Sequence, residues 1–371
     1  MQVAAPYVIA SDELPRTLVL TLDFLPSLGG VQNYLAEISR RLPASWSVLA
    51  PATPGDVATD RALPFLVHRV PRLNAWSALR ALSALQPEVV LCGHAHPQLL
   101  LPAWLYARSR GKRWGVFVHG SDVLAAQTRW HRVGFNALLA RADLLFTNSE
   151  YTRERLLVLG VPVQHATLVR PGVDPLQFQP AIADVTVPGR ILTVGRLTPR
   201  KGHQRVIRVL HRVRAQCPAA HCVIVGEGEE GLRLRALAAE LGVGEAVTFV
   251  GSVPLEALVE HYQRCQVFAM PSQADEAGSV EGFGIVFLEA SACAKPCLGT
   301  RSGGVAEAVR DGETGLLIPP DDPEALAAAL VQLLTDAELR QCLGAAGRAW
   351  VEREMHWERA ARQVADALRA V

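Results

Sequence analysis

The stretch Arg190–Gln216 reads RILTVGRLTPRKGHQRVIRVLHRVRAQ, and its reading decides the fold. Arg190–Val194 is a short β-branched run that predicts a buried strand. The turn Gly195–Gly202, with Pro199 and three cations, interrupts it, and His203–Gln216 then carries apolar residues at helical spacing. A second apolar run, Cys222–Val225, follows the helix. Strand and helix alternating in this way predict a parallel sheet covered on both faces.

The alternation continues in both directions. Toward the N-terminus, strands are expected at Thr17–Thr21, Val89–Gly93, Gly115–His119 and Leu144–Thr147, with helices near Gly30–Arg41, Pro97–Ser109, Arg129–Arg141 and Tyr151–Leu159. Toward the C-terminus, strands are expected at Val247–Val250, Val267–Met270 and Leu316–Ile318, with helices near Leu232–Leu241, Leu255–Arg264 and Glu324–Leu334. The segment Arg170–Gly189 holds Pro171, Pro175, Pro180 and Pro188 and reads as a connection. The expected division is a first domain over 1–172, a linker over 173–189 and a second domain over 190–356, with a last helix over 357–371 packing back on the first domain. Two α/β domains so joined bind ligand in the cleft between them.

Composition narrows the function classes. The chain has 371 residues and a net charge of +1, too small a basic excess for a nucleic-acid binder. Charge is uneven: residues 1–180 hold 17 basic against 12 acidic side chains, and 181–371 hold 20 against 24. Seven cysteines form no CxxC pair, which predicts buried, reduced thiols in a cytoplasmic protein. No apolar run approaches the roughly 20 residues of a membrane span. The opening MQVAAPYVIASDELPRT has neither the basic nor the apolar region of a signal peptide.

The chemistry concentrates in SVEGFGIVFLEASAC, Ser279–Cys293. Glu281 and Glu289 bracket Gly282-Phe283-Gly284, and the run from Ile285 to Ala292 is otherwise apolar or small on every side. That pattern predicts a buried helix with Glu289 one turn in, so Glu289 needs a partner or a ligand hydroxyl. The helix N-terminus and the loop glycines present amides to an anion. A carboxylate for sugar hydroxyls beside an amide nest suits a nucleotide-sugar; a satisfied core acid is the plainer alternative.

Other motifs divide similarly. Gly226, Gly228 and Gly231 spell GxGxxG after an apolar run, yet Glu227, Glu229 and Glu230 between them would repel a pyrophosphate, so a simple strand-to-helix turn is expected. Arg196, Arg200 and Lys201 follow a strand end, where a bidentate fork and a point charge suit a diphosphate. Lys201 is one of only three lysines. Gly29-Gly30 lets a ligand approach the start of the first helix. His119 ends a strand, where it faces the cleft or serves the core.

Together DFLPSLGGVQNYL, VHGSD, TNSEYT, RPGVDPLQFQP, VGRLTPRKG, VEGFGIVFLEASACAKPCLGTRSGGVAEAV and DGETGLLIPPDDPEAL resemble the family 4 retaining glycosyltransferases. DFLPSLGGVQNYL and GIVFLEASA are similar to the GDP-mannose-dependent phosphatidylinositol mannosyltransferase branch. The resemblance implies an α/β GT-B fold, two Rossmann-like parallel-sheet domains facing a cleft. It implies transfer of a hexose, mannose favoured, from a GDP- or UDP-linked donor to a lipid-linked or saccharide acceptor. By that resemblance Arg196 and Lys201 hold the donor diphosphate, Glu289 holds the ribose, and Glu281 lies against the transferred sugar. Amides of Phe283, Gly284, Ile285 and Val286 meet sugar and phosphate; His119 contacts the sugar; Gly29 and Gly30 approach the diphosphate; Asp23 and Gln32 lie nearer the acceptor. The family's branch carries HGxE where this chain has Asp122, and often Gly where it has Ala294.

Negative charge develops on the departing diphosphate, and fixed cations with helix-end amides stabilise it. No Asp-x-Asp occurs in the chain, so neither a metal nor another cofactor is expected. Glu281 and Glu289 are not read as the nucleophile and acid of a retaining hydrolase; the resemblance implies front-face attack, the leaving phosphate taking the acceptor proton. A nucleotide-sugar epimerase or phosphorylase on the same fold, and a non-catalytic nucleotide-binding module, are the alternatives. The segment Trp104–Trp114, with four cations and flanking aromatics, and the cluster Arg129–Arg132 predict docking of a cytoplasmic protein on an anionic membrane surface; core tryptophans beside a solvated helix end are the other reading.

Overall fold

A computed structural model describes residues 14–27, 29–120, 122, 129–275 and 278–371, with side chains described from 134 onward in the helix that begins at Arg129. Leu28, Ser121 and the side chains of the Arg129–Arg132 cluster, all singled out above, lie outside the described residues. The chain forms two compact units, 1–171 with 357–371 and 172–356.

The first unit is built on seven strands: β1 (Thr17–Leu20), β2 (Trp46–Pro51), β3 (Leu66–Val70), β4 (Val89–Cys92), β5 (Arg113–Val118), β6 (Leu144–Thr147) and β7 (Ala166–Leu168). All pair in parallel, in the order β3-β2-β1-β4-β5-β6-β7. The central strands TLVL, VVLC and LLFT are buried at every residue, as a sheet covered on both faces requires. Edge strand β3 is half-buried and carries His68 and Arg69, and no strand was expected there because its pattern is too polar. Helix Pro97–Arg110 starts with proline at its first position and stops at Gly111, which takes the left-handed conformation. Helix Ala75–Leu85 is capped reciprocally by Asn74 and Ser77.

The last helix, Trp357–Arg369, belongs to this unit and packs on helix Gly30–Ser39. Arg41, 2% exposed, ties them: its guanidinium donates to Glu358 at 2.8 Å and to Glu37 at 2.6 Å. Two carboxylates beside one buried guanidinium compensate its charge, the condition under which a buried cation is tolerated.

The second unit repeats the plan with six strands: β8 (Arg190–Val194), β9 (His221–Val225), β10 (Val247–Gly251), β11 (Val267–Met270), β12 (Cys297–Thr300) and β13 (Gly315–Ile318). Their order is β10-β9-β8-β11-β12-β13, again all parallel. Each sheet therefore reverses strand order once, between β1 and β4 and between β8 and β11, which is where open α/β sheets bind ligands. Residues 173–189 lie in this unit: Phe178 is in its core, and the Val173 N–H donates to the Met355 carbonyl at 2.9 Å.

The GxGxxG glycines serve the fold. Gly226 sits at φ 132°, and a Cβ there would collide with the Gly195 carbonyl; one on Gly228 would meet the backbone of Leu197. Bare backbone lets the turn after β9 press on the turn after β8, where the Leu197 N–H donates to the Glu227 carbonyl at 2.9 Å. Gly226→Ala should therefore cost about 2–4 kcal/mol through backbone strain and forced displacement. Gly242→Ala, at φ 66° with open space around it, should cost only about 1 kcal/mol. Urea unfolding of the two variants compares them directly; equal losses would contradict the close-packing account.

Candidate active site

In the second unit the residues singled out by sequence gather beyond the carboxyl end of β8. Glu281 is 9% exposed and accepts from Lys201 Nζ at 2.6 Å and from an Arg200 guanidinium nitrogen at 3.1 Å, both on Oε2. Burial alone would raise its carboxyl, but Lys201, Arg200 and Arg196 together outweigh it and hold the group down at about 2. Arg196 is exposed and close enough to Glu281 to contribute to that shift. Three cations around one carboxylate leave a net positive site. The residue pattern grouped Arg200 with Arg196 and Lys201, the family resemblance gave it no role, and the structure places it beside Lys201 on the same oxygen.

The loop is held from beneath. His203, fully buried, accepts from the Thr193 hydroxyl at Nδ1 (3.0 Å) and donates from Nε2 to the Arg196 carbonyl (3.3 Å), a tautomer assigned from its partners. Burial lowers its pKa to about 4, so it stays neutral while it braces the turn. On the other side, a Cβ on Gly304 would strike the Gly282 carbonyl, and the Gly304 N–H donates to the Glu281 carbonyl at 2.8 Å. The Gly303-Gly304 turn thus seats the backbone that carries Glu281.

Helix Ile285–Ala292 begins at Gly284, which caps it at φ 98°. Its first N–H groups, at Ile285 and Val286, have no intrahelical acceptor, and the helix dipole favours an anion there. Phe283 is core, so of that residue only backbone is on offer. Glu289 is not left without a protein partner: Tyr262 Oη donates to its Oε2 at 2.6 Å. Its apolar surroundings still push its carboxyl up to about 7, against the pull of Tyr262 and Lys201. Tyr262 escaped the sequence reading because its distance from Glu289 in the chain carries no local signal.

In the first unit, Asp23, Val31, Gln32, His94 and Asp122 line a recess of about 210 Å³. It lies past the ends of β1, β4 and β5, at the sheet's reversal point. The Gln32 amide donates to Asp23, and the tip of the same side chain occupies the space beside Gly29. Gly30 is exposed with open space around it. His94 was not expected; burial lowers its pKa to about 4 despite Asp122 and Asp23. Asp122 accepts from the His119 N–H at 3.0 Å and the Ala95 N–H at 3.1 Å, joining the loops after β5 and β4.

His119 itself is only 4% exposed. Its Nε2 donates to the Gly93 carbonyl at 3.0 Å, its ring meets Tyr34 edge-on at 5.3 Å, and burial lowers its pKa to about 4. Tyr34 packs in turn on Trp357 at 5.9 Å, so the last helix helps hold this histidine. Among the described residues, no three His, Cys, Asp or Glu side chains are grouped to hold a metal ion.

Comparison with known proteins gives the arrangement its context. Residues 182–350 match the family model of glycosyl transferases group 1, and residues 28–176 match that of glycosyltransferase family 4. A GDP-mannose-dependent α-(1-6)-phosphatidylinositol monomannoside mannosyltransferase of Mycobacterium tuberculosis is 34% identical, covering 96% of this chain and 98% of its own. A D-inositol 3-phosphate glycosyltransferase of Acidothermus cellulolyticus is 32% identical over 89% of this chain and 83% of its own. Among solved structures, Anabaena HepE in complex with UDP and glucose superposes with a TM-score of 0.79 at 19% identity, covering 96% of this chain and all of its own. Sucrose-phosphate synthase from Thermosynechococcus elongatus gives 0.75 at 23% identity, covering 96% of this chain and 98% of its own.

The depressed carboxyl of Glu281 links the site to stability. A group lowered from 4.5 to about 2 contributes about 3 kcal/mol above pH 4.5, lost as pH falls toward 2. Glu281→Gln should therefore be less stable than wild type by roughly that amount at pH 7, with the gap closing between pH 4.5 and 2. Urea titrations across that window test it; a constant gap would show that charge is not the cause.

Proposed function

We propose that this chain, which belongs to the family 4 glycosyltransferases, transfers mannose from GDP-mannose to an inositol-containing lipid acceptor. That it is a nucleotide-sugar-dependent glycosyltransferase follows from the family it belongs to. The donor and acceptor are our reading. The observation that carries the site is the Arg196, Arg200, Lys201 and Glu281 cluster at the end of β8. Three cations against one carboxylate leave two positive charges, the complement of a diphosphate with one negative charge on each phosphate.

In this reading Arg196 and Lys201 stabilise the leaving diphosphate, aided by the amides of Gly284, Ile285 and Val286. Glu289 takes the ribose hydroxyls through its free oxygen, and Glu281 keeps Lys201 in place while lying beside the sugar. The recess of Asp23, Gln32, His94 and Asp122 presents carboxylates, an amide and an imidazole to a polyol acceptor. His119 holds Asp122 of this recess through its backbone N–H, and Gly29 and Gly30 keep the diphosphate role that the family resemblance gives them. We infer retention of configuration by front-face attack, the departing phosphate oxygen accepting the acceptor's proton. Fixed cations and amides supply the electrostatic help, so no metal is invoked. GDP-mannose is favoured because relatives that use it match nearly the whole chain; the D-inositol 3-phosphate glycosyltransferases support a water-soluble inositol phosphate acceptor as the second reading.

A lipid acceptor places the protein on the inner face of a membrane, with the first unit docked on anionic lipid. No described helix is long and apolar enough to cross a membrane. Of the aromatics in Trp104–Trp114, Trp114 is 3% and Tyr106 4% exposed, both in one core cluster, and Trp104 is half-buried against it. Helix Pro97–Arg110 exposes Leu101, Leu105, Arg108 and Arg110 among others, followed by half-buried Lys112. Arg113 is already paired with Asp143 at 3.0 Å.

Alanine at Arg196 or Lys201 should lower kcat at least tenfold, about 1.4 kcal/mol in the barrier, when [14C]mannose transfer from GDP-mannose to phosphatidylinositol mannoside is followed. A KM effect with kcat intact would show equal binding of ground and transition states. Activity should survive EDTA, and complete loss on chelation would contradict the electrostatic account. For docking, co-sedimentation with anionic vesicles should fade with salt and weaken on Arg108→Gln, Arg110→Gln and Lys112→Gln together. Indifference of both proteins to anionic lipid would favour the soluble acceptor.

A further inference from the structure

The environment of Glu289 has one organising group. Tyr262 lies on helix Leu255–Arg264, is fully buried, and is fixed by Phe178 at 5.9 Å and Phe268 at 5.6 Å between ring centroids. Its hydroxyl has a single proton and two acceptors within reach, Glu289 Oε2 at 2.6 Å and the Val286 carbonyl at 3.4 Å. The shorter contact to the carboxylate takes the proton. Oε1 of Glu289 has no hydrogen-bond partner among the described residues, and the side chain keeps part of its surface open.

We infer that Tyr262 is a positioning residue for donor binding: it occupies one carboxylate oxygen of Glu289, fixes the rotamer, and leaves the other oxygen aimed at the hydroxyls of the donor ribose. The inference rests on the assignment of Glu289 to the donor. An ionised carboxylate can accept from both hydroxyls of a diol, whereas a protonated one gives up part of its acceptor capacity. Keeping the charge on Glu289 in apolar surroundings thus falls to the groups that face it.

Those groups are few. Tyr262 donates to it from helix Leu255–Arg264, and Lys201 favours its charged form from the turn after β8. Cys293, one turn along the same helix, is held protonated by burial, with Cys265, Lys295 and Arg348 around it. Arg348, from helix Ala337–Glu354, spends a donor on the Ala292 carbonyl at 2.7 Å. Tyr262 keeps its own proton at any working pH, since burial and then Glu289 push its pKa well up. Glu289, raised by burial to about 7, is therefore poised where one lost hydrogen bond changes its ionisation.

The test is calorimetric titration of the full chain with GDP-mannose, and with UDP-glucose in parallel, from pH 6 to pH 9. Wild-type affinity should rise through about pH 7 as Glu289 loses its proton. Tyr262→Phe keeps the ring and should bind at least tenfold more weakly at pH 7, its curve displaced to higher pH so that the deficit narrows by pH 9. Glu289→Gln should bind weakly with a flat profile, and the double variant no more weakly than Glu289→Gln alone. Tyr262→Phe matching wild type in affinity and midpoint overturns the inference. So does a deficit that is equal at every pH, which would mark Tyr262 as packing only. If Glu289→Gln itself binds as wild type, the donor assignment of Glu289 fails first and carries this inference with it.

Discussion

An ionised carboxylate is costly to bury without cations, and in the second unit the turn after β8 answers that constraint for Glu281. Glu281 is 9% exposed, and Lys201 and Arg200 meet the same oxygen at 2.6 and 3.1 Å. Removing either side would leave an uncompensated charge in the interior, which is far more costly than the pair is stabilising. The turn after β8 and the loop before helix Ile285–Ala292 are therefore lashed together before any substrate arrives. Gly303 and Gly304 give that loop room, and His203 ties the turn to β8 through Thr193 and the Arg196 carbonyl. Preorganised charge of this kind does not have to reorient when a diphosphate begins to depart.

The two sheets show how sequence order becomes position. Each runs outward from its first strand, reverses after its third, and continues on the other side, so the loops after β1 and β4, and after β8 and β11, flank a reversal point. Asp23, His94 and Asp122 gather at one, Arg196 to Lys201 at the other. Residues far apart in the chain meet because strand ends, not chain neighbours, define the site. The arrangement leaves the strands to supply stability and the loops to supply chemistry.

Legibility followed burial. Strands buried at every residue, such as β1, β4, β6 and β11, announce themselves as unbroken apolar runs. But β12, CLGT, is as buried and was not expected, because Gly299 and Thr300 cut its apolar run to two residues. Half-exposed β3 and the three-residue β7 carry no such signal, and β2, WSVLAP, hides between prolines. The site divides in the same way. Glu281, Glu289, Arg196 and Lys201 were legible because charged residues sit in a glycine-rich setting at predicted strand and helix ends. His94, His203 and Tyr262 were not, since each acts through a contact that only the tertiary fold creates. Tyr262 and Glu289 are separated by 27 positions, and no periodicity links helix Leu255–Arg264 to helix Ile285–Ala292. The aromatics of Trp104–Trp114 misled for the opposite reason: a tryptophan at the start of an interior strand looks, in sequence, like one at a membrane surface.

Glu281 and Glu289 finally show why composition alone could not assign their roles. They are eight positions apart, chemically identical, and both set in apolar surroundings. Burial raises both. Around Glu281 three cations reverse the effect and hold the carboxyl at about 2; around Glu289 one phenol and a more distant lysine leave it at about 7. The first is then charged at neutral pH and well below it, which fits a fixed counter-ion for Lys201. The second changes charge near neutrality, which fits a group with one oxygen held by Tyr262 and the other left for a ligand. Two acids of one motif thus have their pKa values pushed apart by what surrounds them, and the separation supports the different roles proposed for them.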